Sequence, residues 1–96
     1  MQILKNTLRR TFAMERREIT IRRPEGRIDR KEIADLVRLA CEFQSTVTVQ
    51  SSEVAVNAKS LLGMIALQVR PGMKLTITAK GVDEKAALSK ICEWFA

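Results

Sequence analysis

The chain is expected to fold as an α+β protein, a single sheet with helices laid against one side, in the order β-α-β-β-α-β-α. Three observations predict this. Segments that alternate apolar and polar residues are interleaved with segments of helical period. They do not form the repeated βαβ units of a parallel sheet. The alternating segments also carry one polar face, with Thr20, Thr48, Thr76 and Thr78, so one side of the sheet should meet water.

The first strand is read at residues 18–22, with Ile19 and Ile21 on one face and Thr20 and Arg22 on the other. Pro24-Glu25-Gly26 ends it. Asp29-Arg30-Lys31-Glu32 then has the form of a capping box, an acceptor at the N-cap and a glutamate three residues later. Ile33, Leu36, Val37, Ala40, Cys41 and Phe43 mark the apolar face of the helix that follows. Residues 46–50 alternate again, with Val47 and Val49 inward. Ser51-Ser52-Glu53 turns the chain, and Val54 and Val56 lie on the return strand. A short apolar helix starts at Ser60, and Pro71-Gly72 makes a turn. Residues 74–80 set Leu75, Ile77 and Ala79 against Thr76 and Thr78. Gly81 ends that strand. Asp83 and Glu84 fall in the first turn of the last helix, where negative charge is favoured, and Ala87, Leu88, Ile91, Trp94 and Phe95 form its buried face.

With 96 residues, 46% apolar and 29% charged, the chain has the composition of one small folded domain. No apolar run approaches the roughly 20 residues that a membrane span requires. Cys41 and Cys92 both fall on apolar helix faces and read as two buried thiols, which fits a reducing, cytoplasmic compartment. The chain has no histidine and neither cysteine has a near partner, so no metal site is expected, nor any cofactor. There is no nucleophile–base pair and no glycine-rich phosphate loop, and the chain is not read as an enzyme. The net charge of +6 is concentrated in the first third, where Lys5, Arg9, Arg10, Arg16, Arg17, Arg22, Arg23, Arg27, Arg30 and Lys31 lie. Within residues 1–17, Leu4, Leu8 and Phe12 recur at four-residue spacing as a weak amphipathic helix. That basic stretch reads as a frayed extension or the product of an upstream start with Met14 the natural beginning, or as a membrane-surface, phosphate-binding or subunit contact.

The most informative stretch is Val56-Asn57-Ala58-Lys59-Ser60-Leu61-Leu62-Gly63-Met64-Ile65. Ser60 suits an N-cap, because its hydroxyl can accept from an otherwise unpaired first-turn amide. A phosphoryl group there would be favoured by the helix N-terminus and lie beside Lys59. Leu61, Leu62 and Ile65 exceed what a short helix can bury; two of them are expected outside as a docking patch, with Met64 and Leu67 in the core. Asn-Ala-Lys-Ser followed by two apolar residues and Gly63 resembles the regulatory-serine segment of the HPr family, phosphocarriers of the bacterial sugar phosphotransferase system, and in its wording the Crh branch above all. The resemblance runs through Pro71-Gly72 and Gly81-Val82-Asp83-Glu84 and covers the chain from about Glu18, dividing it into an extension, 1–17, and an HPr-like domain, 18–96. It implies an open-faced sandwich, a four-stranded antiparallel sheet covered on one face by three helices.

In that family a histidine at the start of the first helix carries the phosphoryl group, with an arginine and a proline after it. Counted back from Ser60, the histidine position is Asp29, the arginine position Lys31 and the proline position Glu32. The capping role alone accounts for an aspartate, and lysine lacks the planar fork that grips a phosphate. The resemblance therefore implies a regulatory protein-binding module without histidine transfer, modified at Ser60 by an HPr kinase/phosphorylase and read by a transcriptional regulator. Its contact residues would be Lys31, Lys59, Leu61, Leu62 and Ile65. The alternatives are an active phosphocarrier using Asp29 or another residue, and a nucleic-acid-binding module built on the basic first third.

Overall fold

The structure, a computed structural model, describes residues 14–96. Strand β1 (Glu15–Thr20) leads through a short 3-10 turn at Glu25–Arg27 into helix α1 (Arg30–Cys41). Strands β2 (Thr46–Gln50) and β3 (Ala55–Asn57), helix α2 (Leu61–Leu67), strand β4 (Lys74–Lys80) and helix α3 (Glu84–Phe95) follow. The strands form one sheet in the order β1-β4-β2-β3, every neighbouring pair antiparallel. The amphipathic helix read from Leu4, Leu8 and Phe12 lies outside the described residues.

The two-residue period decides which side of the sheet is covered. Val47, Val49, Leu75, Ile77 and Ala79 point into the core, while Thr48, Thr76 and Thr78 form the open face. From the helices come Ile33, Leu36 and Ala40 of α1, Met64 and Leu67 of α2, and Ala87, Leu88, Ile91 and Phe95 of α3. Each fully buried Leu, Ile or Phe side chain contributes about 1.5–3 kcal/mol, against about 1 kcal/mol for a typical cap, so this one-sided burial sets the architecture.

Several expectations are corrected. Strand β1 begins at Glu15, ahead of the boundary read at residue 18, because Glu15, Arg16 and Arg17 pair with Ala79, Thr78 and Ile77. Its end is also earlier, although Ile21 beyond it stays buried and donates its N–H to the Met73 carbonyl at 2.9 Å. Val54 precedes β3 and is exposed. The turn before it is built by Ser51, whose Oγ accepts from the amides of Glu53 (3.3 Å) and Val54 (3.2 Å). Cys41, expected inside, is exposed on the last turn of α1, about 90° around the helix from its buried stripe. Cys92 is buried as expected; burial pushes its thiol up, with the charge of Arg17 opposing.

The start of α3 is also built differently. Asp83 stands at the N-cap position and its carbonyl accepts from the Ala87 amide at 2.9 Å, but its side chain does not cap its own helix. Its carboxylate instead accepts from the amides of Gln44 and Ser45, each at 2.9 Å, and from the Ser45 hydroxyl. Glu84 supplies the local cap by accepting from the Gly81 amide at 3.1 Å. Gly81 sits at φ +152°, and a Cβ there would meet the Ser45 Cα at 2.7 Å.

Two outcomes are expected. Gly81→Ala should lower stability by at least about 2 kcal/mol, since strain and a backbone collision combine. Urea unfolding measures it. The bonds from the Ser45 hydroxyl and then the Gln44 amide hold the Asp83 carboxyl below its ordinary value of 3.8. A depressed folded value means that this stabilisation is complete above pH 3.8 and fades as pH falls through the lower folded value. Asp83→Asn should therefore be less stable at neutral pH and lose less than wild type on acidification below pH 4, by urea midpoints across the range.

Candidate functional site

The corner before α2 is assembled by backbone-directed side chains. Asn57 closes a tight turn, its Oδ1 accepting from the Lys59 amide at 2.8 Å and its carbonyl from the Ser60 amide at 2.9 Å. Ala58 is buried and donates to the Val47 carbonyl at 2.9 Å, which pins the corner to β2. Ser60, with φ −101° and ψ 113°, is the N-cap; its Oγ accepts from the Gly63 amide at 3.1 Å. A Cβ on Gly63 would lie 3.2 Å from that Oγ and 3.3 Å from the Val56 Cβ, so the glycine lets capping hydroxyl and helix close together. Ser60 is half-buried.

Helix α2 divides as its sequence demands. Met64 and Leu67 enter the core, Ile65 is half-buried against it, and Leu61 and Leu62 are 42% and 81% exposed. Beside it a hollow of about 90 Å³ runs between α2 and the start of α1, floored by Ile33, Met64 and Val69 and edged by Ile28, Arg30 and Ile65. The structure thus brings the first turn of α1 and the exposed side of α2 to one surface. Lys31 lies exposed in that first turn.

Asp29 is a capping residue. Its Oδ1 accepts from the Glu32 amide at 2.9 Å. The reciprocal arm of the expected capping box is replaced, because the Glu32 Oε2 takes the Arg23 Nη2 at 2.8 Å. Arg23 also donates to the Trp94 carbonyl at 2.7 Å and lies 4.0 Å from the centre of the Trp94 ring. Together with the Arg22 amide, which donates to the Phe95 carbonyl at 3.1 Å, it serves the carbonyl end of α3, where positive charge is favoured.

Lys59, expected beside Ser60 as a contact residue, is turned elsewhere. Its Nζ donates to the Phe43 carbonyl at 2.7 Å, just beyond the C-terminal end of α1. Sequence reasoning missed this bond and the Arg23–Glu32–Trp94 joint; both are tertiary contacts, and local spacing carries no signal for them. Among the described residues no helix is long and apolar enough to cross a membrane.

Residues 15–96 match the family model described as "PTS HPr component phosphorylation site". The HPr-like protein Crh of Bacillus subtilis is 32% identical over 81 residues, 84% of this chain and 94% of that protein. The phosphocarrier protein NPr of Shewanella violacea is 34% identical over 76 residues, 79% of this chain and 82% of its own length. The crystal structure of the phosphocarrier protein HPr from Bacillus anthracis superposes with a TM-score of 0.81 at 27% identity, covering 88% of this chain and 99% of that one. A sheet of this order under three helices, with a capped serine opening the second and the family model matched from β1 to the last residue, places the chain in the HPr family of the phosphotransferase system.

Proposed function

We propose that this chain is a cytoplasmic, Crh-like regulatory docking module of the sugar phosphotransferase system, working without histidine phosphotransfer and controlled by phosphorylation of Ser60. The observation that carries the reading is the exposed Leu61–Leu62 pair on the helix that Ser60 caps. Exposed apolar side chains beside a modifiable hydroxyl form a surface whose charge can be changed without disturbing the core.

The chain has no histidine, and the Asp29 carboxylate, read at the family's histidine position, is engaged in capping α1. In the modification, the Ser60 oxygen attacks the terminal phosphorus of a donor bound to an HPr kinase/phosphorylase. The new O–P bond replaces the bond to the donor's leaving oxygen, and the hydroxyl proton passes to a base of the kinase. Phosphoserine then carries roughly −1.5 to −2 charge at neutral pH and three acceptor oxygens at the edge of the patch. A partner fitting that surface has apolar sockets for Leu61, Leu62 and Ile65 and arginines for the phosphate, as a transcriptional regulator of the family would. Lys31, at the position read for the family's arginine, contributes charge from α1.

Intact-mass spectrometry after two separate incubations tests the proposal. HPr kinase with a phosphoryl donor should add one phosphate, and Ser60→Gly should abolish it. Glycine forbids modification while costing only a few tenths of a kcal/mol as an N-cap, against about 1 kcal/mol for alanine. The phosphoenolpyruvate-dependent enzyme that charges HPr should add none. A phosphate from that enzyme, lost in Asp29→Asn, would restore the carrier reading and overturn this one. Leu62→Asp should change stability by less than about 0.5 kcal/mol, because Leu62 is 81% exposed, yet remove partner capture in a pull-down.

A further inference from the structure

Lys59 joins two helix ends of opposite polarity. Its ammonium group sits on the Phe43 carbonyl, at the negative end of α1, while its own backbone leads directly into Ser60, at the positive end of α2. The 2.7 Å bond is charge-assisted and part-buried. Apart from that bond and the packing of the Phe43 side chain against the core, the segment is held by backbone bonds. The Glu42 and Phe43 amides close the last turn on the Leu39 and Ala40 carbonyls, at 3.1 and 3.2 Å, while Gln44 and Ser45 are held separately by Asp83.

We propose that Lys59 is a switch arm, released from the Phe43 carbonyl when Ser60 is phosphorylated. This rests on the reading of Ser60 as the modified residue and names how that modification is transmitted. An unmodified Ser60 offers the ammonium a neutral hydroxyl already engaged with the Gly63 amide, so the Phe43 carbonyl wins. A phosphate on the adjacent residue offers nearly two negative charges and three oxygens within the sweep of a four-carbon stem, and an ionised acceptor outcompetes a neutral carbonyl. The arm then neutralises part of the phosphate and uncaps α1. The last turn of α1, with exposed Cys41 and half-buried Phe43, loosens, while β2 stays anchored through Asp83. One modification therefore alters two places at once: charge beside Leu61 and Leu62, and order at the far end of α1.

The test installs phosphoserine at position 60 by genetic encoding, so it does not depend on whether a kinase recognises the chain. Amide hydrogen exchange is read residue by residue in the unmodified protein, the phosphoserine form, Lys59→Met, and Lys59→Met carrying phosphoserine. Exchange at Glu42 and Phe43 should rise on the order of tenfold in the phosphoserine form, the effect of losing one hydrogen bond to a charged group. Lys59→Met should show the same rise without phosphate, and phosphoserine should add nothing further. Gln44 and Ser45 should be unchanged throughout. Unchanged protection at Glu42 and Phe43 in the phosphoserine form, or additive effects of phosphate and Lys59→Met, would overturn the switch. Neither result bears on whether a kinase phosphorylates Ser60, which the mass measurement decides separately.

Discussion

One carboxylate gathers the chain where its order is hardest to close. Asp83 opens the last helix, yet it spends its oxygens on two successive amides and a buried hydroxyl at the entry to β2, 38 and 39 residues away in sequence. Both residues it binds lie between the end of α1 and a central strand, and Ser45 is fully buried. Left without Asp83, the buried Ser45 hydroxyl and amide would need other partners, while the exposed Gln44 amide could turn to water. Gly81 completes the joint by leaving room for Ser45 against the end of β4. This crossing ties the end of α1, the entry to β2 and the start of α3 to one another across the buried core.

Much of the architecture is legible in the sequence because burial here is one-sided. Val47 and Val49, and Leu75, Ile77 and Ala79, alternate with threonines, and a period of two in a half-buried sheet permits only one facing. The caps Asp29 and Ser60 are legible for a related reason, since short polar acceptors before apolar helices have a local task. The start of β1 is not legible. Glu15, Arg16, Arg17 and Glu18 carry no apolar alternation, and only pairing with β4 makes them a strand. Charged side chains on such an edge also discourage pairing with other chains. Cys41 misled because it lies at the margin of the apolar stripe, where the helix ends.

At the candidate site, residue identities were readable and their allegiances were not. Ser60 caps α2, and Leu61 and Leu62 are exposed, with Met64 and Leu67 turned inward. Glu32 and Lys59 instead answer to partners that sequence spacing cannot reveal, Arg23 and the Phe43 carbonyl. The two cases share a cause. A long charged side chain can reach several residues' worth of space, so its partner is chosen by the fold, whereas a serine or aspartate cap is confined to its own turn.

The Arg23–Glu32–Trp94 joint has a practical consequence. Trp94 is the only tryptophan in the chain and there is no tyrosine, so near-ultraviolet excitation addresses one indole almost alone. That indole has a guanidinium over its face, stands edge-on to Phe95 at 5.1 Å, and lies on the helix whose last carbonyls Arg22 and Arg23 secure. Its emission is a label-free optical gauge of whether the exit of β1, the first turn of α1 and the close of α3 remain in register.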